Sequence, residues 1–321
     1  MSDDSGATRP PLPRVTPSMG QRAAHLAFDE IYYRILQDAR VLSPVACKLV
    51  QLGAFACAHS WRRNLMFNAG LALGPDSTAL ARARCAYDML GAMQVFIAEV
   101  LQKHGARQPA KHSPVTQLEG TETYLAARRL RRGVVIAGIH LGSFEPALAT
   151  LRTIESRVHV LFQPDAMPRF ERARSEHRRR LGIIEHPVAD GISSWVALRD
   201  ALRADEAVVI HADRTMPGQI ASPMPFLGLV DAALPSGPVR LASANGSPIV
   251  PTFCARTPTG LRVWADRCIE TQQERLTARD VAQHPAQLEL VAAMESAIRR
   301  YPRQWMAIDT LRSSASAKAT P

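Results

Sequence analysis

Apolar residues change their spacing once along the chain, near residue 119. Before that point they recur every three or four positions. AHLAFDEIYYRIL puts Phe28, Ile31, Ile35 and Leu36 on one stripe, and AYDMLGAMQVFIAEVL does the same with Tyr87, Leu90, Met93, Phe96, Ile97 and Val100. That period predicts amphipathic helices over residues 21–104, broken by a turn at Gly74-Pro75-Asp76-Ser77. The 105–118 stretch, with Pro109 and Pro114, reads as a polar loop. After it, TETYLAARRLRR reads as a helix ending at Gly133, and the spacing gives way to short unbroken β-branched runs. These are VVIAGI (134–139), RVHVLF (157–162), GIIEHPV (182–188), AVVIHA (207–212) and SPIVPTFCAR (247–256). Runs of this kind belong to strands buried on both faces, as in parallel sheets. Helical stretches SSWVALRDALRA (193–204) and VRLASANG (239–246) lie between them. The alternation predicts an α/β fold with a mostly parallel central sheet flanked by helices, behind a helical N-terminal segment. RVWADRCIE (262–270) is expected to add an edge strand, and LELVAAMESAIRRYP to end the fold as a helix stopped by Pro302. The expected organisation is a disordered tail over 1–20, a helical segment over 21–118, an α/β domain over 119–312 and a second disordered tail over 313–321.

Composition narrows the class. At 321 residues, 46% hydrophobic and 21% charged, the chain suits a globular protein with a sizeable core. Lys and Arg number 39 against 29 Asp and Glu, a balance of +10, and only four of the basic residues are lysine. Arginine binds carboxylate and phosphate through a rigid fork, so an acidic partner is expected. The basic residues are spread along the chain rather than clustered with aromatics, which argues against nucleic acid. Cys47, Cys57, Cys85, Cys254 and Cys268 form no C-x-x-C pair and no zinc spacing, and read as thiols in a reducing compartment. No metal is expected. No signal peptide is legible. Residues 41–60 are apolar but interrupted by Lys48 and Gln51. A helix lying on a membrane or covering the core fits them better than one that spans.

Candidate chemistry gathers in GVVIAGIHLGSFEPALATL, residues 133–151. A buried strand runs out at Ile139 and leaves His140 at its carboxyl end, where ligands of open α/β sheets collect. Ser143 is placed to cap a helix starting at Phe144. Glu145, in the first turn, can fold back on the imidazole, fixing its tautomer and leaving the other nitrogen free to take a proton. The same pair also reads as a structural hydrogen bond beneath a helix cap. His211, inside an apolar strand, reads as a satisfied core histidine. G-x-S-x-G, Walker A, G-x-G-x-x-G and H-E-x-x-H patterns are all absent. A base without a protein nucleophile points to direct transfer onto an acceptor hydroxyl.

IHLGSFE resembles the H-x4-E motif of the glycerolipid acyltransferase superfamily. More closely, it resembles the bacterial lipid A biosynthesis lauroyl/myristoyl acyltransferase family, in which H-x-G-N-W-E is usual. Other blocks follow in order: RRNL (62–65), QLEGTETYLAARRLRRGVVIAGIH (117–140), HADR (211–214), PFLGLVDAALPSGPVRLA (225–242), PIVPTF (248–253) and YPRQWMAIDTLR (301–312). The likeness covers about residues 60–312. Ser143 and Phe144 stand where the family has Asn and Trp.

This resemblance implies transfer of a fatty acyl group from an acyl thioester to a hydroxyl of a lipid acceptor, as in lipid A and lipopolysaccharide biosynthesis. His140 would be the general base and Glu145 its orienting partner. An Arg before the strand near residue 182 would meet the substrate, here Arg178, with Arg179 and Arg180 adjacent. Asp213, Arg214, Gly228, Ser236 and Gly237 would line the substrate site; the alternative for Asp213 and Arg214 is a loop-fixing ion pair, and for the glycines a turn alone is the default reading. No cofactor is implied beyond an acyl carrier protein or coenzyme A thioester as donor. The expected location is the cytoplasmic face of a bacterial inner membrane, against anionic lipid. The departures at residues 143 and 144 and the interrupted 41–60 stretch leave a specialised lipid or secondary metabolite open as acceptor. A non-enzymatic basic protein binding membrane or nucleic acid is the reading outside enzymes.

Overall fold

A computed structural model of the chain describes residues 44–105, 115–165, 168–215, 221–309 and 311. The helix expected over AHLAFDEIYYRIL (24–36) and both tails lie outside the described residues. Three helices come first: α1 (Pro44–Cys57), α2 (His59–Leu73) and α3 (Ala79–Gly105). Strands and helices then alternate through β1 (Val115–Glu119), α4 (Thr121–Arg129), β2 (Val134–Gly138), α5 (Phe144–Ile154), β3 (Val158–Phe162), α6 (Pro168–Arg180), β4 (Ile184–Pro187), α7 (Ile192–Arg203) and β5 (Ala207–His211). A hairpin of β6 (Ala221–Phe226) and β7 (Leu229–Pro235) leads into α8 (Gly237–Asn245). The chain ends with β8 (Ile249–Thr257), β9 (Gly260–Ala265), the short α9 (Ala278–Val281) and α10 (Pro285–Arg300).

The seven-stranded sheet has the order β1-β9-β8-β2-β5-β3-β4. From β8 to β4 all neighbours are parallel, while β9 turns back antiparallel on β8 and β1 lies parallel to β9. Why the central runs are unbroken follows from their two faces. Val135 and Ala137 of β2 join Val208 and Ile210 of β5 in a core shared with the N-terminal helices. Val134 and Ile136 turn the other way, toward Tyr124, Leu148, Val160 and Val209. Alternate residues serve opposite cores, so neither face can be polar.

The N-terminal helices share the first of those cores. Leu65, Ala69, Met89, Leu90, Phe96 and Ile97 are buried in it, while Val45, Leu49 and Leu52 of α1 are exposed. The helix layer thus covers the sheet and also turns an apolar row outward. Among the described residues no helix is long and apolar enough to cross a membrane. Polar residues of α2 fasten the C-terminal strap: the side-chain amide of Asn64 donates to the Ile308 carbonyl at 3.0 Å, and that of Asn68 to Ala307 and Asp309 at 2.7 and 2.9 Å.

Two expectations change. Residues 115–119, read as the end of a polar loop, form the edge strand β1. Being an edge, β1 buries little, and VTQLE carries no continuous apolar run. Accordingly β9, expected at the edge, lies one strand inside it. The β6–β7 hairpin closes through Leu227 and Gly228, both at positive φ (50° and 85°), a two-residue turn that suits glycine at its second position.

Candidate active site

Strand β2 ends at Gly138, and the next residues leave the sheet at the carboxyl edge that the parallel topology makes a site. The backbone there is held from two directions. The Met306 N–H donates to the His140 carbonyl at 2.7 Å, and the Gly142 N–H to the Gln304 carbonyl at 3.0 Å. Gln304 itself clamps β8, its side chain accepting from the Arg256 N–H at 2.7 Å and donating to the Arg256 carbonyl at 2.9 Å. The P-x-Q-W segment therefore acts as a strap across the base. Gly142 sits at φ +59°, and a Cβ there would come within 2.5 Å of the Cys254 carbonyl oxygen. Replacing Gly142 by Ala should lower the unfolding free energy by about 2 kcal/mol and misplace the His140 loop. A urea midpoint equal to wild type would refute this.

His140 projects from the loop to a carboxylate on the neighbouring strand's exit. Its Nδ1 lies 2.8 Å from Oδ1 of Asp213, whose Oδ2 accepts from the His140 backbone N–H at 3.1 Å and from the Trp305 indole N–H at 3.0 Å. Asp213 and Trp305 are both 0% exposed. Burial alone would raise the Asp213 carboxyl, but the His140 imidazole and its hydrogen bond hold it well below the usual carboxylate range. An ionised Asp213 requires Nδ1–H on His140, which leaves Nε2 as the acceptor. The Nη2 of Arg214 lies 3.2 Å from that Nε2, while its Nη1 is 3.7 Å from Asp309. Burial, and then the Arg214 charge, lower the pKa of His140 below the ordinary histidine value, so the imidazole is a neutral base near pH 7.

Glu145, expected to orient the imidazole, is placed otherwise: Asp213 occupies the Nδ1 side. The first turn of α5 sends Phe144 toward the histidines, with rings 4.6 Å from His211 and 5.9 Å from His140. Glu145, one residue on, faces α6. There its Oε1 meets Arg178 Nη2 at 3.1 Å and Arg174 Nε at 3.8 Å. Arg178 is 1% exposed and its other arm pairs with Glu185 at 2.8 Å. Ser143 stands at the N-cap of α5 without capping it, because its hydroxyl donates instead to Glu99 of α3 at 2.7 Å.

His211 departs from the core reading as well. Its ring lies 4.2 Å from that of His140, it borders the cavity, and it has no hydrogen-bond partner among the described residues. Gly138 makes the room, since a Cβ there would come within 2.9 Å of the His211 ring. Burial, and then the neighbouring His140, lower the His211 pKa well below the usual value. The sequence also missed Arg174, one turn before Arg178, which borders the same cavity. Its signal was present as the i, i+4 spacing of the two arginines on one helix face.

A cavity of about 980 Å³ opens over the base. One wall is apolar, with Trp61, Met93, Phe96, Phe144, Phe170 and Trp195. His140, Arg178, Arg214, Ser236 and Gly237 also reach it. Gly228 does not, being exposed in the hairpin turn. Among the described residues no group of three His, Cys, Asp or Glu side chains is arranged to hold a metal ion.

A carboxylate-held imidazole at the mouth of a parallel sheet, open to a deep and largely apolar cleft, puts the chain among the α/β enzymes. Its sequence over residues 40–311 matches the model of the bacterial lipid A biosynthesis acyltransferases, and the chain belongs to that family. It is an acyltransferase. Comparison with curated proteins finds no match.

Proposed function

We propose that the protein moves a fatty acyl group from an acyl thioester, on an acyl carrier protein or coenzyme A, to a hydroxyl of a lipid acceptor. The observation that carries this is the Asp213–His140 pair whose Nε2 faces the cavity. His140 takes the acceptor proton as its oxygen bonds to the thioester carbonyl carbon. The carbonyl electron pair moves onto oxygen, and collapse of the intermediate breaks the C–S bond. The departing thiolate recovers the proton from the imidazolium. Asp213 supplies the fixed tautomer and offsets the imidazolium charge. Arg214, in contact with Nε2, yields that position to the acceptor oxygen and remains beside the developing oxyanion. Glu145 serves by holding Arg174 and Arg178 in the wall. The exposed row Val45, Leu49 and Leu52 on α1 suits resting on the inner face of a bacterial membrane, with the basic excess attracting anionic lipid.

The test is to incubate the purified chain with labelled acyl thioester and a total bacterial lipid extract, following free thiol and the labelled lipid. Stoichiometric thiol release with one new ester supports the reading; thiol release without an ester product, or neither, defeats it. Identification of the product separates lipid A from a specialised acceptor.

The acidic limb of kcat/KM is expected below pH 6.5, the ordinary histidine value, because the His140 pKa is lowered. Arg214 is the larger charge cause of that lowering. Removing a cation favours the protonated imidazole, so Arg214→Gln should move the limb to higher pH and cut kcat by about 10²-fold. A limb unmoved in this variant would show that Arg214 does not face the base.

A further inference from the structure

The cavity has a second polar corner that the reaction above leaves unused, where β7 ends and α8 begins. Ser236 is 3% exposed and borders the cavity. Its hydroxyl has no hydrogen-bond partner among the described residues, and it does not cap α8. A hydroxyl at the cavity wall that no protein group engages is available to a ligand as donor and acceptor. Beside it, α8 offers the N–H groups of Gly237 and Val239, since Pro238 has none, and Ser236 does not cap them. Gly237 contributes backbone alone: a Cβ there would come within 2.5 Å of the Trp195 indole, which closes over it.

The charge of the corner is positive. Arg240, one helical turn after Ser236, and Arg275 both border the cavity. The Nε of Arg240 donates at 3.0 Å to the carbonyl of Leu276, the residue that follows Arg275. Neither is in an ion pair with a described residue. Arg199, nearby on α7, is paired with Asp200 at 2.8 Å, and the cavity's Asp309 lies 3.7 Å from Arg214. A hydroxyl, uncapped helix N–H groups and two unpaired guanidiniums make a receptor for a tetrahedral dianion.

We propose that this corner binds a phosphate ester of the substrate, through the Ser236 hydroxyl, the N–H groups at the start of α8, and the guanidiniums of Arg240 and Arg275. The inference rests on reading the cavity as the substrate site. Two sources offer the same group: the phosphopantetheine arm of the acyl donor and the headgroup of an anionic lipid acceptor.

Binding to the full chain distinguishes them without turnover. One pair of probes is 4′-phosphopantetheine against pantetheine; the other is dilauroyl phosphatidic acid against dilauroylglycerol in neutral detergent micelles. The phosphorylated member of at least one pair is expected to bind about tenfold more tightly. Ser236→Ala should reduce that preference, and the double variant Arg240→Gln/Arg275→Gln should erase it with the melting temperature unchanged. A preference in the first pair assigns the corner to the donor, and in the second to the acceptor. No preference in either pair, or one that survives the double variant, overturns the proposal. His140→Gln is expected to keep the preference while losing turnover, so failure of the acyl-transfer reading and failure of the phosphate site are separable.

Discussion

Exchanging His140 for glutamine is expected to lower kcat by about 10³-fold, within the 10²–10⁴-fold range typical of general acid–base catalysis, with little change in thermal stability. Glutamine retains a donor for Asp213 but offers no basic nitrogen to the cavity, so the proton of the acceptor hydroxyl has nowhere to go. KM for the donor should stay within a few-fold, because the apolar wall that would receive the acyl chain is untouched. That split between kcat and KM matters, since a merely misfolded site would lose both. Steady-state assay with free-thiol detection, together with circular dichroism melting, reads it out. Turnover within tenfold of wild type would remove His140 from the chemistry.

The position of this histidine was legible because its cause is local. VVIAGI is a continuous apolar run, such a run is a strand buried on both faces, and its carboxyl end is where a parallel sheet exposes its site. Strands β3, β5 and β8 follow by the same reasoning, and GIIEHPV was read the same way although β4 forms the opposite edge. What the sequence hid is what depends on contacts distant along the chain. Asp213 reaches His140 across 73 positions, and Glu145 reaches Arg178 across 33. Spacing inside H-x4-E says only that Glu145 falls in the first turn; which way it points depends on α6 and on Phe144 filling the side toward the histidines. The edge strand β1 was hidden for a different reason, since a strand that buries little needs no apolar signal. Ser143 was read as a cap because serine prefers that place, yet Glu99 from α3 outcompetes the helix N–H groups for its hydroxyl.

Two carboxylates therefore compete for the role of partner to the base, and the structure turns the choice into a measurable contrast. Asp213→Asn should lower kcat by about 10³-fold with KM nearly constant, since Asp213 is buried behind the cavity wall. The Asn carbonyl would keep accepting from the His140 and Trp305 N–H groups that Oδ2 serves. Its amide NH₂ would then face Nδ1, forcing the proton onto Nε2 and blocking the lone pair the reaction needs. Losing the carboxylate also removes a charge that raises the His140 pKa, so the residual activity should have its acidic limb at lower pH than wild type. Glu145→Gln acts elsewhere. It removes one of two carboxylates from the buried Arg178 and should appear first as lost stability, about 3–5 kcal/mol for breaking a buried pair. The two variants thus separate on different axes, one in turnover at constant stability and the other in stability before turnover. If instead Glu145→Gln abolished turnover at an unchanged melting temperature while Asp213→Asn stayed active, Glu145 would be the orienting carboxylate and the Asp213–His140 hydrogen bond a structural one.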